Sequence, residues 1–388
     1  MDQTVSNPLL VPFDNPLLIC FSHLQWDFVF QRPQHLMTRA AADYTVVFFE
    51  EPLFEPVQMP ILRRKAVAPG LEVVTPILPQ CQSGIEVDSA IAILLEALVS
   101  CIEHDQLVTW YYTPMALKFT DALQEDVCVY DCMDELSAFK NAPPELERLE
   151  EELFGKADVV FTGGMSLYES KRRRHPSVHA FPSSIDTAHF HQARQPQADP
   201  ADQKSIAHPR VGFFGVIDER FDIDLMARTA AAMPTVQFVT IGPVVKIDPA
   251  TLPIGSNIHW LGAKRYAELP GYIAGWDVGW MPFALNDATR YISPTKTPEF
   301  LAGGLPVVST AIVDVVETYG RRGLVDIADA GSMPAALDAA LRKGCETAKV
   351  DAFLSGMSWD TTWSTMHDLL KPAKVLRYQA FRSLVDHV

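Results

Sequence analysis

Ile292-Ser293-Pro294-Thr295-Lys296-Thr297-Pro298-Glu299-Phe300-Leu301-Ala302-Gly303-Gly304-Leu305-Pro306-Val307-Val308-Ser309-Thr310 lies between two short apolar runs. The run before it closes on Trp280-Met281-Pro282-Phe283, and the one after it is Val307–Ser309. Runs that short and that apolar suit strands buried on both faces, and 297–302 between them has helical spacing, so the stretch reads as a βαβ unit. Ser293-Pro294 suits a helix N-cap followed by proline in the first turn. Pro298 is the difficulty, since it moves the expected helix start to Thr297. Unpaired amides around Ser293 to Thr295, with the helix dipole, suit a diphosphate, and Lys296 adds a point charge. Glu299, one turn on, suits hydrogen bonds from ribose hydroxyls. The competing reading is an ordinary βαβ unit with a surface lysine and glutamate.

The same alternation extends outward in both directions. Strands are expected at 17–21, 45–49, 73–77, 107–112, 127–130, 159–162 and 178–181, and helices at 32–42, 87–104, 144–156 and 165–174. Residues 191–209 interrupt this: they are polar, rich in Gln, Ala, Asp and Pro, and read as a linker. The pattern restarts with strands at 211–216, 237–241, 257–261, 278–281, 307–309 and 324–327, and helices at 224–233, 266–275, 297–302 and 333–343. The expected architecture is α/β, with two doubly wound Rossmann-like domains facing across a cleft. The first covers 1–190 and the second 210–358. The segment 359–388 has apolar residues at helical spacing (Trp359, Trp363, Met366, Leu369, Leu370), which suits packing back on the first domain.

Bulk properties agree with two domains. The chain has 388 residues, 48% of them hydrophobic and 21% charged. That length exceeds an ordinary single core. A net charge of -16 repels a phosphate backbone, which argues against nucleic acid but not against a small phosphorylated ligand. The six cysteines include no C-x-x-C pair and sit mostly in apolar runs, as expected of reduced thiols in a cytoplasmic protein. Residues 1–10 have no basic n-region, so no secretory signal is expected.

The opening stretch resembles the donor-binding segment of family 4-type GT-B glycosyltransferases of bacterial polysaccharide assembly, whose signature is S-P-x-K-x-x-E-x-L-A-x-G-x-P-V-V. Further resemblances run along most of the chain. Gly212-Phe213-Phe214-Gly215-Val216-Ile217-Asp218 is similar to the strand and loop that lie against the donor, and Arg220 follows it. Leu261-Gly262, with Tyr266, Leu269 and Pro270, resembles the loop and helix that frame the base. Trp26-Asp27-Phe28-Val29-Phe30-Gln31-Arg32-Pro33-Gln34-His35-Leu36 matches the family's W-x-F-V-x-Q-R-P-x-H-L nearly letter for letter. The family's E-x7-E pattern is half present: Glu299 fits its second position, while Tyr291 occupies the first.

The resemblance implies sugar transfer from a nucleoside-diphosphate sugar, serving as co-substrate with no other cofactor. The acceptor would be a glycan or a lipid-linked sugar. Donor binding falls to Ser293, Thr295, Lys296, Glu299, Arg220 and Gly215. The acceptor side falls to Trp26, Arg32 and His35, an aromatic, a cation and an imidazole at a strand–helix turn. Asp131 and Asp134, at the end of the strand 127–130, and His23 are the candidate catalytic groups. Asp222-Ile223-Asp224 has the D-x-D form of a metal site, but a helix N-cap explains it better, so no metal is expected. The basic run Lys171-Arg172-Arg173-Arg174 suits contact with an anionic lipid surface, at the inner face of a membrane. Two alternatives remain open at this point: a nucleotide-sugar 2-epimerase, and a non-catalytic nucleotide-sugar-binding protein.

Overall fold

The computed structural model describes residues 15–80 and 84–371. The first domain runs β1 (Pro16–Ser22), α1 (Arg32–Ala40), β2 (Thr45–Glu50), β3 (Leu53–Glu55), β4 (Ile61–Ala68), β5 (Leu71–Pro79), α2 (Gly84–Ser100) and β6 (Gln106–Tyr111). It continues with β7 (Val127–Cys132), α3 (Leu146–Lys156), β8 (Val159–Thr162), α4 (Met165–Lys171) and β9 (Val178–Ala180). Its sheet is ordered β3-β5-β2-β1-β6-β7-β8-β9, with β4 beside β5. Successive residues of β1 serve opposite faces. Leu17, Ile19 and Phe21 enter the core beneath α2 and α3, whereas Leu18 and Cys20 enter the one beneath α1. That two-sided burial is why the strands read as unbroken apolar runs.

After α5 (Thr187–His191), the second domain runs β10 (Arg210–Phe214), α6 (Ile223–Ala232), β11 (Gln237–Ile241), β12 (Ile258–Trp260), α7 (Leu269–Ile273), β13 (Val278–Met281), α8 (Lys296–Ala302) and β14 (Val307–Ser309). It ends with α9 (Val313–Thr318), β15 (Asp326–Ile327), α10 (Met333–Lys343) and α11 (Thr347–Leu354). The order β12-β11-β10-β13-β14-β15 is all parallel and doubly wound about β10. Reversal of strand order between β10 and β13 opens a crevice at their carboxyl ends, where such sheets take ligands. A last helix, α12 (359–371), returns to the first domain, whose core includes Trp359, Trp363, Met366 and Leu370.

Three sequence expectations need correction, and a fourth is narrowed. The first sheet is not purely parallel, because β4 pairs antiparallel with β5. That strand reads Arg63-Arg64-Lys65 at its centre and is held by Arg63–Glu55 and Arg64–Glu72 ion pairs, so it has no apolar run to detect. The stretch 191–209 is no bare tether. Arg194 donates to the carbonyls of Leu301 and Ala302 and to Asp351, and Gln203 is fully buried between Tyr272 and Trp276. Ile185 and Phe190 already belong to the second core, so the chain changes domain before residue 190. Lastly, part of the basic run is engaged internally: Lys171 is buried against Glu135 and Glu150, and Arg174 pairs with Glu150 and Glu151, while Arg172, paired with Glu169, and Arg173 are exposed. Cys20, Cys101, Cys128, Cys132 and Cys345 are free thiols, and Cys81 lies outside the described residues. Among the described residues no helix is long and apolar enough to cross a membrane.

Candidate functional site

A cleft of about 530 Å³ separates the two domains. Strand carboxyl ends supply both walls: the segment 26–32 after β1 and residues 133–134 after β7 on one side, and Gly215, Gly242 and Phe283 after β10, β11 and β13 on the other. Two interdomain ties stand beside it. The Ser183 hydroxyl donates to the Ser293 carbonyl, and Asp314 accepts the Met165 and Ser166 amides at the start of α4.

The second-domain wall is built around Lys296. Its side chain lies across the backbone of Gly215, so close that a Cβ there would come within 2.0 Å of Cε. Gly215 has φ of +139°, and Gly242 (φ +148°) would in turn strike the Gly215 carbonyl if it carried a side chain. Both positions therefore require glycine on two counts. Lys296 makes no ion pair among the described residues, and its Nζ lies over the Phe213 ring, 5.8 Å from the centroid. Glu299 is 5% exposed, and its Oε2 has no hydrogen-bond partner. Burial weakens the charge of both groups, lowering the lysine and raising the glutamate, while each opposes the other's shift. Contrary to the Pro298 argument, α8 starts at Lys296, because proline is tolerated within a first turn, and its N-cap Thr295 makes no side-chain cap. Ser293 and Thr295 also line the cleft.

Arg220 lines the cleft in the grip of Asp218, which accepts from its Nε at 3.0 Å and Nη2 at 2.7 Å. Asp134 faces that pair from β7. Burial raises its carboxyl pKa, and Arg220 counters the shift. Asp131 was grouped with Asp134 in sequence, yet strand alternation sends it inward. It is fully buried, and both its oxygens accept from Arg32 at 2.8 to 3.1 Å. The remaining Arg32 nitrogen donates to the Phe181 carbonyl at 2.6 Å. Asp131 and Arg32 thus form a buried brace, in which Asp131 does not reach the cleft while Arg32 still lines it.

His35 likewise does not line the cleft. It is buried in a ring stack, 4.7 Å from Trp359 and nearly parallel to it, with its pKa pushed down to about 3 by burial. His23 does not line the cleft; burial and nearby Lys246 bring its pKa down to about 4, leaving a neutral imidazole. Trp26 remains on the wall, its amide bonded to Glu50 at 2.7 Å and its ring set edgewise on Phe48. Tyr291 is absent from the cleft, packing instead against the first domain's core. The site also contains groups that sequence reasoning passed over. Asp218 orients Arg220, and its Asp-x-Arg spacing was a visible signal. Phe30 stacks on Tyr266 across the domain boundary at 4.6 Å, which no local pattern announces.

Two doubly wound domains, joined twice and facing across a cleft at their strand ends, constitute the GT-B fold. No family model matches the chain. It is 26% identical over 224 residues to the putative teichuronic acid biosynthesis glycosyltransferase TuaH of Bacillus subtilis (strain 168), a match covering 52% of this chain and 54% of that protein. The chain thus spans about half the length of the curated relative it matches. Among solved structures, sucrose-phosphate synthase from Thermosynechococcus elongatus superposes with a TM-score of 0.64 at 14% identity, covering 96% of this chain and 100% of that one. A UDP-forming α,α-trehalose-phosphate synthase from Burkholderia xenovorans, in complex with glucose-6-phosphate, gives 0.65 at 12% identity, covering 92% and 100%.

Proposed function

We propose that the chain is a glycosyltransferase that moves sugar from a nucleoside-diphosphate sugar to a glycan or lipid-linked acceptor in surface polysaccharide assembly, without a divalent metal. The observation that carries this is Lys296: a cation without an ion pair among the described residues, laid over a side-chain-free strand end in a GT-B cleft, one turn from a buried glutamate with one oxygen lacking a partner. A diphosphate beside Lys296 restores the ammonium charge that burial opposes. It also places the departing negative charge where Lys296 and Arg220 stabilise it. Ribose hydroxyls donating to Glu299 relieve its orphaned oxygen. Asp134, on the opposite wall, accepts a hydrogen bond or proton from the acceptor hydroxyl. Asp222 is occupied as the N-cap of α6, accepting the Leu225 amide at 2.7 Å, which favours metal-independent chemistry. The similarity to TuaH supports the polysaccharide assignment.

The test is calorimetry with nucleoside, nucleoside diphosphate and deoxyribose analogues, with and without EDTA. Lys296→Ala should weaken diphosphates roughly ten- to a hundredfold and bare nucleosides little, since a hydrogen bond to a charged group is worth about 1.5–3 kcal/mol. Glu299→Gln should cost a similar factor only for ligands with ribose hydroxyls. Chelator should change neither binding nor turnover. Parental behaviour of both variants toward every ligand would reduce the 292–310 segment to a plain βαβ unit.

A further inference from the structure

The first-domain wall differs in chemistry from the second. Trp26 and Phe28 stand on it, and Phe28 is 40% exposed. The turn bearing them is pinned by hydrogen bonds. The Trp26 amide is bonded to Glu50, the Trp26 carbonyl accepts from Gln34 at 3.0 Å, and the Phe28 amide donates to the Gln25 carbonyl. An exposed phenyl ring held on a fixed turn beside a cleft gives nothing to folding that burial would not give better. It does give a pyranose an apolar surface on which to stack. The charges on this wall are spoken for. Arg32, its one cation lining the cleft among the described residues, has all three nitrogens engaged by Asp131 and the Phe181 carbonyl. Asp27 is paired with Lys65. Of the two carboxylates lining the cleft from this side, Asp134 is the one without an ion pair among the described residues; a carboxylate there suits hydrogen bonds from sugar hydroxyls and disfavours an anionic group.

From the aromatic turn, the engaged arginine and the facing carboxylate, we infer that the acceptor is the terminal sugar of an uncharged glycoside, selected by stacking on Phe28 and Trp26, and not a sugar phosphate or uronate. This rests on the glycosyl-transfer reading above and specifies its acceptor. Phe28 is the specificity-determining residue, because it touches the acceptor sugar without contributing to the donor side.

The experiment incubates the full chain with a panel of UDP-, GDP- and ADP-sugars and measures nucleoside diphosphate release. Methyl glycosides and neutral disaccharides are compared with the matching sugar 6-phosphates and uronates. Neutral glycosides should stimulate release at least about tenfold more than their charged counterparts. Phe28→Ala should raise the acceptor KM about tenfold with the donor Kd unchanged, and Phe28→Lys should shift preference towards the phosphates. Preference of the parent chain for a phosphate or uronate overturns the inference while leaving glycosyl transfer intact. So does an unchanged acceptor KM in Phe28→Ala, provided circular dichroism shows the variant folded. If calorimetry finds no nucleoside diphosphate bound to the parent chain, the transfer reading falls and takes this inference with it.

Discussion

His35 illustrates how far one side chain's meaning depends on its neighbours. Its ring is clamped between Trp359 and the Phe30–Tyr266 stack, so it folds as a neutral group. Its pKa near 3, against an ordinary 6.5, means that the unfolded chain binds a proton the native state refuses. Stability should therefore be full above pH 6.5 and fall as pH drops from 6.5 towards 3, by about 1.4 kcal/mol for each pH unit crossed. Denaturant midpoints for the parent and His35→Phe should diverge across that window, with the variant much less acid-sensitive. Parallel pH curves would show that another group governs acid stability. Asp131 and Asp134 carry the same lesson: they are three residues apart in the chain, and one is locked to Arg32 while the other faces the cleft.

At the scale of elements, α8 connects the cleft to the chain crossover. Its first residue is the cleft lysine, and its last carbonyls, at Leu301 and Ala302, accept from Arg194. A guanidinium suits a helix carboxyl end both by hydrogen bonding and by opposing the dipole. Asp351 of α11 holds the same guanidinium from the other side, at 2.8 and 2.9 Å. The stretch 191–209 should thus resist limited proteolysis in the parent chain, despite its linker-like composition. Arg194→Ala should make it the first site of cleavage, read by mass spectrometry of early fragments. Early cutting of 191–209 in the parent would contradict this account of the packing.

Across the molecule, α12 straps the end of the described chain onto the first domain, after the second domain is complete. Trp363 is buried beside Tyr44 and Trp110, and its Nε1 donates to Asp43 at 2.7 Å. Removing a buried tryptophan costs about 3–5 kcal/mol. Hydrogen exchange of Trp363→Ala should show lost protection in β1 and β2, with β10 to β14 holding theirs. An even loss over both domains, or none, would mean that the strap does not belong to the first core.

Periodicity alone was enough to establish two doubly wound α/β units, because parallel strands buried on both faces must be apolar throughout and their helices must carry one apolar stripe. It also marked Lys296 and Glu299, whose βαβ setting is local in the chain. The strand β4 stayed hidden, since its central side chains are ionic and exposed. Tertiary structure alone decided which polar groups reach the cleft. Asp131, His35 and Lys171 resemble site residues by type and position, but each finds a buried partner elsewhere in the chain: Arg32, Trp359 and Glu150 respectively. Partner choice over such separations depends on how sheets stack and where the chain returns, and no local pattern of residues encodes that.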